Sequence, residues 1–229
     1  MKVAVLLSGC GVYDGSEIHE SVFSLLALAE AGIEAICIAP DKLQMHVINH
    51  AKNEEQVQAR NVLEESARIA RGEITALSNV NIEDFDALLI PGGFGVAKNF
   101  TNWAVKGADS YIDDQLKDLI VNMHKAGKPI VALCMAPTVI AKAFEGTEVV
   151  PTLTVGTDQE PSPNDITRIS KGMESVGSRV LMKTKMEIAI DKLNKIISAP
   201  CYMMEVSILE VRNNAKQAVD ALVDMLKSS

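Results

Sequence analysis

The apolar runs Val3-Ala4-Val5-Leu6-Leu7, Ile33 to Ala39, Ala87 to Ile90 and Pro129 to Leu133 are continuous, with no alternation of polar residues, and stretches of helical pattern separate them. A strand without a polar face is covered on both sides. Such runs belong to a sheet sandwiched between helix layers, the setting in which strands run parallel. The pattern predicts a three-layer α/β sandwich with a mostly parallel central sheet and helices on both faces. With 229 residues and no internal repeat, low-complexity tract or linker, the whole chain, 1–229, reads as one domain.

Punctuation along the chain gives the boundaries. A first strand from Lys2 to Ser8 leads through a glycine-rich turn (Gly9, Gly11, Gly15) into a helix from Ser16 to Ala31, stopped by Gly32. The second strand, Ile33 to Ala39, closes at Pro40-Asp41. Asn53 is expected to cap a helix that reaches Arg71 and ends at Gly72. A third strand, Ala87 to Ile90, breaks at Pro91-Gly92-Gly93. A helix from Ile112 to Lys125, a fourth strand from Pro129 to Leu133 and a helix from Ala136 to Phe144 follow. Residues 151 to 164 read as loop and 165 to 171 as a short helix. Arg179 to Leu181, Glu187 to Ile190 and Lys195 to Ala199 read as strands, before a long amphipathic helix from Met203 to Lys227.

Charge and cysteine usage exclude several classes of function. The net charge of −8, with no run of Lys or Arg, disfavours nucleic acid and anionic membrane as partners. No apolar stretch approaches the roughly 20 residues of a membrane helix. Four dispersed cysteines (Cys10, Cys37, Cys134, Cys201) form neither a CxxC nor a zinc pattern, so free thiols are expected. His46 and His50, four apart, have no evident third ligand, and no metal is expected. With no leader sequence visible, a cytoplasmic location is expected.

The chemistry concentrates in three places. In Ile130-Val131-Ala132-Leu133-Cys134-Met135-Ala136-Pro137 a buried strand runs into a nucleophile, small residues and a proline suited to a first helical turn. The pattern reads as a cysteine nucleophile elbow, with a buried core cysteine as the alternative. The elbow raises Cys134 at the carboxyl edge of the sheet over a helix N-terminus, which should lower its pKa. The turn Pro91-Gly92-Gly93-Phe94-Gly95 would lie beside it on a neighbouring strand. The N–H groups of Gly93 and Met135 would then face a developing oxyanion, with Gly92, Phe94 and Cys10 as pocket-lining candidates. The third place is Asp14-Gly15-Ser16-Glu17-Ile18-His19-Glu20, where Glu20 could project toward the thiol and have its pKa raised by the thiolate. Glu17 is the alternative. Gly9-x-Gly11 with Asp41 imitates part of a dinucleotide fingerprint. However, Gly15 falls one residue late, and Asp14 in its place would repel a pyrophosphate.

These motifs resemble the ThiJ/PfpI superfamily of class I glutamine-amidotransferase-like proteins. The wording of Ser8 to Glu20, Pro91 to Asn99 and Cys134 to Pro137 is closest to the enhancing-lycopene-biosynthesis (ElbB-type) branch, a likeness that includes Val47 to His50 and Arg60 to Leu63. The resemblance implies a flavodoxin-like sandwich and a homodimer. It also implies that Glu20, a fixed distance before Gly32, hydrogen-bonds Cys134. The sequence departs from many superfamily members in having Met135 where they carry histidine. His19, His46, His50 and His124 all precede Cys134. A downstream triad histidine is therefore absent, which argues against glutaminase and Cys-His protease chemistry.

A cysteine, a carboxyl group and no histidine suit attack on an aldehyde. The resemblance implies glyoxalase III-type lyase activity on glyoxal or a related small aldehyde, without a cofactor. The competing reading is a redox or stress-response protein, linked to isoprenoid metabolism by the name of the branch, whose cysteine is oxidised.

Overall fold

The computed structural model describes residues 1–228. In chain order the elements are β1 (Lys2–Leu6), α1 (Ile18–Glu30), β2 (Glu34–Ala39), β3 (Ile48–Asn49), β4 (Glu54–Glu55), α2 (Val62–Ile69), β5 (Ile74–Ala76) and β6 (Ala87–Ile90). They continue with α3 (Trp103–Lys106), α4 (Asp114–Lys125), β7 (Ile130–Leu133), α5 (Pro137–Phe144), β8 (Thr152–Leu153), α6 (Ile166–Ser175), β9 (Arg179–Val180), β10 (Ala189–Asp191), β11 (Ile196–Ala199) and α7 (Ile208–Lys227).

Seven strands form the central sheet in the order β10-β11-β7-β6-β1-β2-β5. All neighbours pair in parallel except β10, which runs antiparallel to β11 at the edge. Strand order reverses direction at β1. Right-handed crossovers therefore put α1 and α2 on one face and α4 and α5 on the other. α7 packs against α1, and α6 against α5, completing the two outer layers. The three-layer, flavodoxin-like sandwich is as expected. The inner strands β1, β6 and β7 are buried almost throughout, as their unbroken apolar runs require.

Several boundaries move. The helix expected from Asn53 begins at Val62, because Asn53 sits at φ 54 in the tight turn of the β3–β4 hairpin. Asn61 is the cap, its side chain accepting from the Leu63 and Glu64 N–H groups. β5 escapes a sequence reading: three half-buried residues at a sheet edge leave no apolar run. β8 lies in the segment read as loop and pairs with β9. α6 runs on to Ser175, past the expected Lys171. The last helix starts at Ile208 instead of Met203, behind a capping box of Ser207 and Glu210.

Candidate active site

Cys134 follows β7 at the carboxyl edge of the sheet. Its N–H donates to the Ala199 carbonyl at 2.8 Å, which extends the β7–β11 ladder by one residue. The chain then turns sharply: Cys134 adopts φ 56, a left-handed backbone that is strained for a residue with a Cβ. Pro137 opens α5 three residues later. The elbow is held by its neighbours, since Cys134, Met135 and Ala136 are all buried.

The β6 turn lies against it. A Cβ on Gly92 would stand 2.9 Å from the Cys134 Sγ and 2.6 Å from the Glu20 Oε2, so only glycine fits between the two groups. Gly93, at φ 97, directs its N–H to the Cys134 sulfur. The turn is bonded to the loop before α1: the Glu17 N–H reaches the Gly92 carbonyl at 2.9 Å, the Phe94 N–H reaches Val12 at 2.7 Å, and the Gly95 N–H reaches Gly15 at 2.9 Å. Buried Asn99 clamps that loop from below, its Nδ2 donating to the Ser8 and Asp14 carbonyls at 2.8 and 2.9 Å.

Glu20 is fully buried in the first turn of α1 and hydrogen-bonded to the Cys134 thiol. Oε2 also accepts the Gly92 N–H at 2.9 Å, and Oε1 accepts the Tyr202 N–H at 3.2 Å. Glu17 has a different task. It is the N-cap of α1, its carboxylate accepting the Glu20 N–H at 2.7 Å. The two carboxyl groups are thus separated by position: one points at the sulfur and the other closes the helix.

Burial dominates the electrostatics. It pushes the Glu20 carboxyl up to about 8, with the Glu17 charge adding to the rise, while the hydrogen bonds from Tyr202, Cys134 and Gly92 oppose it. The thiolate is therefore not what raises Glu20. The Cys134 thiol is pushed up too, by burial and by the Glu20 charge, against the Gly93 N–H. The lowered pKa expected from the helix N-terminus is corrected: at 7% exposure the cost of burying a charge outweighs the dipole. Two anions cannot share this site, so the pair holds at least one proton through neutral pH.

Tyr202 joins the site with no motif to mark it. Its N–H holds Glu20, and its hydroxyl meets the His19 Nδ1 at 2.8 Å at the exposed rim. Cys201, buried and at φ 46, follows β11 as Cys134 follows β7. Cys10 is half-buried elsewhere on the sheet edge, facing Glu65, Arg68 and Asp14. Among the described residues the Met135 N–H makes no hydrogen bond. His50 packs on the Gly11 turn, its Nε2 accepting the Tyr13 N–H at 3.2 Å. Asp14 accepts the Ile48 N–H at 2.6 Å, so this glycine-rich turn is spent on packing. No group of three His, Cys, Asp or Glu with metal-holding geometry occurs among the described residues. None of their helices is long and apolar enough to cross a membrane. Beside the elbow lies a cavity of about 400 Å³; Phe94 and Met135 line it, whereas Cys134 does not.

The profile of the DJ-1/PfpI family matches residues 1–150, and the chain belongs to that family. It is 39% identical over 226 residues to the human "Glutamine amidotransferase-like class 1 domain-containing protein 3, mitochondrial", covering 98% of this chain and 83% of that one. The structure of an isoprenoid biosynthesis protein with amidotransferase-like domain from Ehrlichia chaffeensis superposes with a TM-score of 0.89 at 34% identity, covering 99% of both chains. Glyoxalase III from Candida albicans shares the fold, with a TM-score of 0.61 at 14% identity over 96% of this chain and 97% of that one. The cytoplasmic location expected from the sequence is overturned by curated relatives named as mitochondrial proteins.

Proposed function

We propose that the protein is a cofactor-independent, glyoxalase-like enzyme that converts a 2-oxoaldehyde to a 2-hydroxy acid at the Cys134–Glu20 pair. The observation that carries this reading is the buried Glu20 carboxyl, held by two backbone N–H groups and bonded to the Cys134 sulfur. A carboxyl with a pKa of about 8 gives and takes protons readily near neutral pH.

In the proposed reaction the Cys134 sulfur bonds to the aldehyde carbon while its proton passes to Glu20, and Glu20 returns that proton to the aldehyde oxygen. The hemithioacetal forms with the Met135 N–H facing the oxygen, while the Gly93 N–H stays on the sulfur. Glu20 then carries the proton from C1 to the C2 oxygen, giving an enediol. It next carries the C1 hydroxyl proton to C2, giving a thioester. Water adds to the thioester and expels the cysteine, releasing the hydroxy acid. The net change is aldehyde plus water to hydroxy acid, with no outside oxidant.

The test is turnover of glyoxal or methylglyoxal without glutathione or added metal. Conversion that disappears in Cys134→Ala supports the proposal; no conversion, or full conversion in that variant, ends it. A second reading, in which the thiol is oxidised as a stress signal, fits the site less well: Cys134 is 7% exposed with its pKa raised, whereas oxidation follows thiolate character and exposure. Selective sulfinate at Cys134 after mild peroxide, without aldehyde turnover, would favour that role.

A further inference from the structure

The cavity beside the elbow has a chemical character that a two- or three-carbon aldehyde does not need. Its volume of about 400 Å³ falls within the range of about 300–1,000 Å³ for small-molecule sites. Phe94, Trp103, Met135 and Ile169 give it apolar walls. Trp103 lies flush on α6 because residue 172 is glycine: a Cβ there would stand 3.0 Å from the indole Cζ2.

The mouth is different. Lys106 and Arg168 stand at it, both exposed, and neither has an ion-pair partner among the described residues. The Asp165 carboxylate stands there too, capping α6 with one oxygen on the Arg168 backbone N–H at 2.9 Å, so these three side chains leave the rim with a net positive charge. In a chain of net charge −8 this cationic rim over an apolar floor is a local departure.

We propose that this cavity binds an amphipathic organic anion, with a medium-length apolar or aromatic body against Trp103 and Phe94 and a carboxylate or phosphate monoester held by Arg168 and Lys106. Phe94 follows Gly93 and Met135 follows Cys134, so the cavity begins where the nucleophile and its N–H donor end. Resting on the aldehyde reaction proposed above, the inference extends the substrate class to 2-oxoaldehydes carrying such a body. The reacting carbonyl then lies outside the cavity, past Met135.

Trp103 is the chain's single tryptophan, so its fluorescence reports on this site alone. The probes are octanoate, octyl phosphate and the neutral octanol, titrated onto Cys134→Ser protein so that no reaction intervenes. A saturable change is expected with octanoate, octyl phosphate or both, and the better of the two identifies the head group. Octanol should bind at least about tenfold more weakly. Arg168→Gln should cost the anion about tenfold and leave octanol unchanged, since a charge-assisted contact is lost. Ala104→Phe, at an exposed wall position, should block binding without disturbing the core. No saturable response to either anion, an equal response to octanol, or binding that survives Ala104→Phe overturns the proposal. Because no turnover enters this readout, failure of the glyoxalase reading and failure of the binding site are told apart.

Discussion

Gly92 and Cys134 stand so close that a methyl group on the glycine would come within 2.9 Å of the sulfur, and closer still to its Cβ. The same methyl group would press on the Glu20 Oε2 at 2.6 Å. Gly92→Ala must therefore push apart the two groups whose hydrogen bond defines the site. Overpacking a rigid position costs about 2 kcal/mol, or roughly 4–8 °C in a chain of this size. Aldehyde turnover should fall at least about a hundredfold, because a small misplacement of reacting groups is amplified in rate. Thermal melts and kinetics measure both effects. A variant as stable and active as wild type would contradict the described approach.

The sheet was legible from residues such as Ala87 to Ile90, whose environment is the same on both faces and so leaves a plain pattern. The elbow was legible because a nucleophile followed by Pro137 breaks that pattern abruptly. Edge and hairpin elements were not. Asn53 is a sound cap residue by chemistry, but it serves a left-handed turn here, and Asn61 does the capping. Tyr202 was missed because its contribution to Glu20 is a backbone N–H, which any residue except proline would carry. The direction of the Cys134 pKa shift is not legible because sequence shows the helix that follows the cysteine but not how completely the thiol is buried.

The left-handed backbone at Cys134 gives a stability prediction separate from activity. Glycine is ordinarily less stable than alanine within a fold, but at φ 56 the alanine Cβ carries the strain. Cys134→Gly should therefore be more stable than Cys134→Ala by about 1 kcal/mol, with both variants inactive. Denaturant unfolding of the pair decides it. The ordinary ranking would mean that the turn stores no strain.

Glu20 also links folding to pH. Its carboxyl is raised from 4.5 to about 8 in the folded protein. Above pH 4.5 the unfolded chain gives up this proton while the folded one keeps it, so stability falls as pH rises toward 8. The slope from this one group reaches at most about 1.4 kcal/mol per pH unit within that window. Glu20→Gln has no proton to lose and should flatten the profile between pH 5 and 8. Parallel profiles for the two proteins would show that Glu20 is not the group responsible.

Glu17 separates capping from electrostatics. Its carboxylate caps α1 through the Glu20 N–H, and its charge helps to raise Glu20. Glu17→Gln keeps an oxygen to accept that N–H but removes the charge, whereas Glu17→Ala removes both. The alanine variant should lose about 1 kcal/mol of stability and the glutamine variant less. Both should share one kinetic signature. Proton abstraction needs the Glu20 carboxylate, so kcat/KM should rise with pH through its half-height near 8 in the wild type and level off above that. Without the neighbouring charge, the rising limb should move to lower pH in both variants by the same amount. A limb that stays in place while stability falls would leave Glu17 as a cap alone. A limb that moves in Glu17→Gln with stability nearly intact would show that Glu17 tunes the proton carrier from one helical turn away.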